Sequence, residues 1–240
     1  MQLNGNTILI TGGTSGIGLA IAERFLAAGN EVIICGRRES ALADMRAKHP
    51  TLHTLVADTG SATSREALVT EVLARFPKLN VLINNAGIQR KVTMTKVEPW
   101  ADVAQEIAIN LEGPIHLSML FTAHLQKQER ALIANVSSGL AFVPLAVAPV
   151  YSATKAALHS FTLSLRHQLQ PGIEVVEIIP PAVRTNLGGS HDFGTPLDEY
   201  ADSVMAQLAE GRPEVTYDFS AKGSQASRAE LDAIFKHING

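Results

Sequence analysis

Six short runs of apolar, largely β-branched residues alternate along this chain with longer stretches of helical periodicity. The runs are Thr7–Thr11, Glu31–Cys35, Leu52–Val56, Val81–Asn84, Ala131–Val136 and Glu174–Ile179. Each has strand length and is apolar nearly throughout, so all six read as strands buried on both faces. Between them, Ile17, Ile21 and Phe25 recur at helical spacing before Gly29 ends the first helix. Thr63 and Glu66 have the spacing of a capping box, and Thr195-Pro196 and Ser227-x-x-Glu230 mark two later helix starts. Strands alternating with helices predict an α/β fold, a doubly wound parallel β-sheet with helices on both faces. Residues 1–240 contain no repeat and no linker rich in Pro, Gly or Ser, and are expected to form a single domain.

Charge and cysteine content narrow the function. Lys+Arg 20 against Asp+Glu 23 leaves a net charge of -3, without a basic run to track nucleic acid or a membrane surface. Cys35 is the sole cysteine, which excludes an internal disulfide and a Cys-rich zinc site and fits a reducing, cytoplasmic setting. With an apolar strand-like run starting at Thr7, no secretory leader is expected. Residues 131–154 carry no charge, yet Asn135, Ser137, Ser138, Pro144 and Pro149 interrupt them too often for a membrane span. The eight histidines form no cluster with acids at ligand spacing, so no metal is expected, and no Gly-x-Ser-x-Gly elbow is present.

Immediately after the first strand comes Thr11-Gly12-Gly13-Thr14-Ser15-Gly16-Ile17-Gly18. Glycines there permit a tight turn and close approach of backbone to a pyrophosphate, whose charge meets the free N–H groups of a helix start. Farther along, Tyr151 and Lys155 stand four apart, on one helix face, where a cation is expected to lower the tyrosine's pKa towards working pH. Ser138, at the carboxyl end of the fifth run, could hold the same substrate oxygen, and Ser137 is the competing choice.

With these motifs joined by Asn84-Asn85-Ala86-Gly87, the chain resembles the classical short-chain dehydrogenase/reductase family over nearly its whole length. Family landmarks follow in order: Asp58, Asn110, Ser138, and Pro180-Pro181-x-x-x-Thr185, where Pro181 replaces a usual glycine. The segments Ser137–Phe142 and Ala156–His167 are similar to bacterial oxidoreductases associated with D-alanylation operons. The resemblance implies a Rossmann-like fold and an NAD(P)-dependent oxidoreductase that interconverts a carbonyl and an alcohol. It selects Ser138 over Ser137 and gives the catalytic set Asn110, Ser138, Tyr151 and Lys155. Tyr151 would be the general acid/base, Ser138 would orient the substrate oxygen, Lys155 would bind ribose and tune Tyr151, and a kink at Asn110 would hold a water. Cofactor contacts would come from Gly12, Thr14, Ser15, Gly16, Ile17, Gly18, Arg37, Arg38, Asp58, Asn85, Ala86, Gly87, Tyr151, Lys155, Pro181, Val183 and Thr185, with Asn84 structural.

No acid follows the second strand before Glu39, and Arg37 and Arg38 could pair with a 2′-phosphate, so NADP(H) is expected over NAD(H). A substrate lid is expected at residues 186–211, opposite a wall at 141–149 where Val143, Leu145 and Val147 favour an apolar carbonyl or alcohol; Arg184 and His191 are its basic exceptions. Family resemblance further implies a homodimer or homotetramer through helices near 110–126 and 151–168. The alternative from another class is a catalytically silent nucleotide-binding regulatory or scaffolding protein.

Overall fold

The six runs pair side by side and in parallel in a computed structural model, which describes residues 1–189 and 192–240. They form β1 (Thr7–Thr11), β2 (Glu31–Gly36), β3 (His53–Val56), β4 (Val81–Asn84), β5 (Leu132–Val136) and β6 (Glu174–Ile179), and a further strand, β7 (Glu214–Thr216), joins the edge. The order is β3-β2-β1-β4-β5-β6-β7. Helices α1 (Gly16–Ala27), α2 (Glu39–Lys48), α3 (Ala62–Arg75), α4 (Trp100–Ile107), α5 (Gly113–Leu125), α6 (Pro149–Leu169), α7 (Leu197–Ala209), α8 (Phe219–Gln225) and α9 (Arg228–Asn239) complete the chain. None of the helices among the described residues is long and apolar enough to cross a membrane.

Alternation along β1 divides the core in two. Ile8 and Ile10 pack with Ile21, Phe25, Tyr200, Val204 and Leu208 on one face. Leu9 points the other way, to Leu68, Val72, Leu117, Phe121 and Leu165. Strand order reverses between β1 and β4, and in such sheets the crevice beyond the carboxyl ends at that point receives a ligand.

Four local expectations change. The third run starts one residue later, and β3, an edge strand paired only with β2, is not buried on both faces: Val56 is 59% exposed. Thr63 and Glu66 do not cap α3. An Asp58 turn, closed by the Gly60 N–H to Oδ1 at 2.9 Å, brings the chain round earlier, and the Ser61 hydroxyl accepts from the Ser64 N–H at 3.4 Å. Near 195, Pro196 is the residue ahead of α7 and contributes no side-chain cap, whereas Ser227 and Glu230 do form a complete capping box on α9. Finally, α7, expected within a lid, packs one face into the core. It buries Tyr200, Ala201, Val204 and Leu208, and Arg24 of α1 holds it through Asp202 at 2.6 Å. A bridge between Val183 and Thr195, with the Thr195 N–H to the Ala182 carbonyl at 2.9 Å, ties down the chain ahead of it. Within the segment 186–211, the first turn of α7 still borders the crevice through Leu197 and Glu199.

Candidate active site

The loop leaving β1 must pass beneath the end of β4. At Gly12 the backbone takes φ +67°, and a Cβ there would lie 2.8 Å from the Cα of Ala86. Gly18, in the first turn of α1, is packed under the Asn85 amide, whose Nδ2 donates to the carbonyls of Thr11 at 2.9 Å and Gly12 at 3.2 Å. Ser15 precedes α1 without capping it by its side chain, and the first turn contains no acid. The helix start thus turns open N–H groups and a positive dipole end towards the crevice, as an anionic group requires.

That crevice has a volume of about 1750 Å³. Gly12, Thr14, Ser15, Gly16, Ile17 and Gly18 line it, as do Arg37, Arg38, Asn85, Ala86, Gly87, Ser138, Tyr151, Lys155, Pro181, Val183 and Thr185. Arg37 and Arg38 are exposed, and neither side chain has an ion-pair or hydrogen-bond partner among the described residues. Glu39 is instead occupied by Arg46 at 2.6 Å. Asp58 is not brought to the crevice wall; its neighbours Ala57 and Thr59 are, while its Oδ1 closes the turn to Gly60.

A π-helical segment, Ala108–Glu112, separates α4 from α5 and carries Asn110 fully buried. The wider turn aims the amide at the strand-end loop: Oδ1 accepts from the Ile88 N–H at 2.9 Å, and Nδ2 donates to the Ile88 carbonyl at 2.8 Å and to Thr154 Oγ1 at 3.3 Å. Asn84 is structural, its Nδ2 donating to Asn135 Oδ1 at 2.9 Å.

Tyr151 and Lys155 lie on one face of α6, with the Lys155 ammonium 5.6 Å from the Tyr151 ring centre. That ammonium donates to the Val136 carbonyl at 2.7 Å. Burial pushes the Tyr151 hydroxyl up to about 12, against the hydrogen bond from Ser138 and reinforced by the Glu106 charge. Burial likewise draws Lys155 down to about 8, against the attraction of Glu177. The direction expected for the tyrosine from the four-residue spacing is thus reversed in the free protein by removal of the hydroxyl from water. Ser138 begins a one-turn 3-10 helix, Gly139–Ala141, and its Oγ accepts from the Leu140 N–H at 3.1 Å, which leaves its own proton to donate. Ser137 also borders the crevice, its Oγ buried without a partner among the described residues.

The expected wall divides. Leu145 lines the crevice, Val143 is fully buried in the interior, and Val147 is 53% exposed. Arg184 lines the crevice while its Nε donates to the Gly194 carbonyl at 3.0 Å, and His191 lies outside the described residues. Tyr217 and Asp218, between β7 and α8, Phe219 of α8 and Ile238 of α9 also line the crevice, which the sequence did not signal. Phe219 rests on Gly139, where an added Cβ would come within 2.9 Å of its ring. Asn239 clamps the wall: its Oδ1 accepts from the Ala146 N–H at 2.6 Å and its Nδ2 donates to the Pro144 carbonyl at 3.1 Å. Asn239→Ala is expected to release α9 and leave the fold intact, seen as faster tryptic cleavage at Lys236 and faster amide exchange at Ala146. Unchanged cleavage and exchange would show that the clamp holds nothing.

Among the described residues, no group of three His, Cys, Asp or Glu side chains is placed to hold a metal ion. A model of the family described as short chain dehydrogenase matches residues 6–192. The chain is 47% identical to an uncharacterized oxidoreductase, DltE, of Bacillus subtilis strain 168, across 100% of this chain and 98% of that protein. An uncharacterized oxidoreductase of Staphylococcus epidermidis, SERP2049, is 32% identical over 84% of this chain and 90% of its own. Among solved structures, a short-chain dehydrogenase from Streptomyces avermitilis superposes with a TM-score of 0.82 at 27% identity, covering 97% of this chain and 98% of that one. Another from Burkholderia cenocepacia, in complex with NADP, gives 0.84 at 25% identity and covers 99% of both chains.

Proposed function

This chain belongs to the short-chain dehydrogenase family of oxidoreductases, and we propose that within it the protein interconverts a carbonyl and an alcohol with a nicotinamide dinucleotide. The observation that carries this reading is the convergence of Ser138, Tyr151, Lys155 and the Asn110-supported loop on one crevice, whose other end is an uncapped helix start.

The residues fit the cofactor: Gly12 and Gly18 keep the cradle clear of side chains, and α1 offers N–H groups to a pyrophosphate. Gly12–Gly18, Asn85–Gly87, Tyr151, Lys155, Pro181, Val183 and Thr185 would hold it, and when bound it supplies the hydride acceptor or donor. Tyr151 moves a proton between its hydroxyl and the substrate oxygen, and Ser138 donates to that oxygen and fixes its position. Lys155 binds ribose hydroxyls and stabilises the negative charge Tyr151 carries once its proton has left. Asn110, through Ile88, holds Gly87 beside Lys155.

Substrate choice falls to Leu145, the loop ahead of Pro196, and the Tyr217–Phe219 and Ile238 contacts, which together favour a mostly apolar molecule. Met119 on α5 and Leu163 on α6, 68% and 42% exposed, suit burial in a homo-oligomer built on those helices. Lone, buried Cys35, its thiol pushed up to about 12 by burial, suits a reducing compartment.

NADP(H) is preferred because Arg37 and Arg38 are unpaired at the end of β2, whereas Glu39 is held by Arg46. A panel of carbonyls and alcohols with NADPH, NADH and their oxidised forms tests the function, and turnover of at least one pair is expected. Cofactor binding without turnover across a broad panel would favour a silent nucleotide-binding protein. With the best substrate, Arg37→Ala should raise KM for NADPH about tenfold and leave KM for NADH nearly unchanged. Equal or better kcat/KM with NADH, insensitive to the substitution, would reject the preference.

A further inference from the structure

β6 reads Glu-Val-Val-Glu-Ile-Ile, and its second glutamate, Glu177, is fully buried between β5 and β7. A carboxylate there is tolerated only if it is paired. Its Oε2 lies 2.8 Å from His159 Nδ1, and its Oε1 is buried without a hydrogen-bond partner among the described residues. His159 follows Lys155 by one turn on α6, so both project to the same side of the helix. The Lys155 ammonium is fixed at the carbonyl of Val136, whose register partner on β6 is Ile178, the residue next to Glu177. An ammonium and an imidazole thereby lie along one side of α6, the first at the end of β5 and the second on the buried carboxylate of β6. Of the paired side chains, only that of His159 reaches solvent, at 23% exposure against 0% for Glu177.

We propose that Glu177 is a positioning residue for Lys155: its buried carboxylate, anchored by His159, keeps the ammonium charged and in place at the Val136 carbonyl. The significance of that charge rests on the role given above to Lys155 in holding ribose and serving Tyr151.

The surroundings support the assignment. Glu177 opposes the downward pull of burial on Lys155, and the bond to Glu177 holds His159 above its ordinary value. His159 also faces Glu214 of β7 and Arg166 of its own helix, which act in opposite directions and lie 3.8 Å apart, and the Phe142 ring packs edge-on against it. On the other side Lys155 faces the Tyr151 ring, on which Glu106 of α4 acts. Asn135, opposite Glu177 on β5, is committed to Thr162 and Asn84. Glu177 is thus the carboxylate of the sheet whose charge acts on the ammonium.

The decisive experiment follows the titration of Lys155 and His159 by NMR in the free protein, in parallel with NADP+ affinity measured without substrate. In Glu177→Gln the Lys155 midpoint should fall by about 1 pH unit, and that of His159 should return towards its ordinary value. NADP+ affinity at pH 8 should then drop about fivefold, with little change at pH 6.5. A folded Glu177→Gln protein with an unchanged Lys155 midpoint would overturn the proposal. Should that variant not fold, the unsubstituted protein decides: the Glu177 carboxyl signal should shift with the Lys155 midpoint, and its indifference would be equally fatal. Absence of turnover in the substrate panel, by contrast, would leave the coupling standing and remove only the reaction assigned to it.

Discussion

Tyr151→Phe is expected to lower kcat by about 100- to 10,000-fold, the usual contribution of a positioned proton donor, while leaving the fold and nucleotide affinity close to those of the parent. The substitution removes one oxygen atom and keeps the ring, which is 5% exposed and packed over the crevice floor. Near-parental kcat in the folded variant would take the proton-transfer role away from Tyr151. pH adds a directional check in the parent enzyme. Because burial holds the hydroxyl up to about 12, it stays protonated through neutrality and is ready to donate, so carbonyl reduction should be flat in pH until Lys155 begins to discharge near 8. Alcohol oxidation needs the deprotonated hydroxyl, so its kcat/KM should climb as pH rises through neutrality. Identical profiles in the two directions would contradict this protonation order.

Gly18→Ala should be damaging in a different way. The new methyl group would come 2.3 Å from Asn85 Nδ2 and 2.6 Å from the Gly12 carbonyl oxygen. Asn85 cannot yield cheaply, because its amide joins the Thr11 and Gly12 carbonyls to the end of β4. Overpacking at such a site costs about 1–3 kcal/mol, which for a domain of this size lowers Tm by roughly 2–10 °C. The cradle would be displaced as well, and NADPH affinity should fall by at least about tenfold, as loss of one charge-assisted contact would. Calorimetry and a binding titration report the two effects separately. Unaltered affinity in a destabilised variant would mean that the loop supports the fold without touching nucleotide.

What could be read from the chain beforehand was local chemistry. The strands announced themselves because residues such as Ile8, Leu9 and Ile10 are apolar in succession, and the Gly-rich loop because a strand precedes it and a helix follows. Tyr151 and Lys155 needed only their spacing to share a face. Hidden features depended on distant packing. β7 has three residues, Glu-Val-Thr, too few for any period to show, and is drawn into line by β6. Thr63 and Ser61 are both hydroxyl residues ahead of one helix, and the Asp58 turn decides between them. α7 has the pattern of any amphipathic helix, and only its seating of Tyr200 and Val204 against α1 shows it to be core. The direction of the Tyr151 shift depended on burial, which a four-residue spacing does not reveal.

Asn84 and Asn135 face each other at the ends of β4 and β5, and Asn135 passes the chain of hydrogen bonds on to Thr162 of α6 at 3.0 Å. The residues that precede them on that side of the sheet, Leu82 on β4 and Ile133 on β5, are hydrocarbon and would tolerate sliding by two residues almost as well as the native alignment. The amides would not. Slipped pairing strands a buried amide against an aliphatic neighbour, at about 1–3 kcal/mol for each unmet group. The two asparagines therefore act as an alignment mark during folding. They bring β4, which carries the Asn85–Gly87 loop, level with β5, which leads to Ser138, before any ligand is present to check the match.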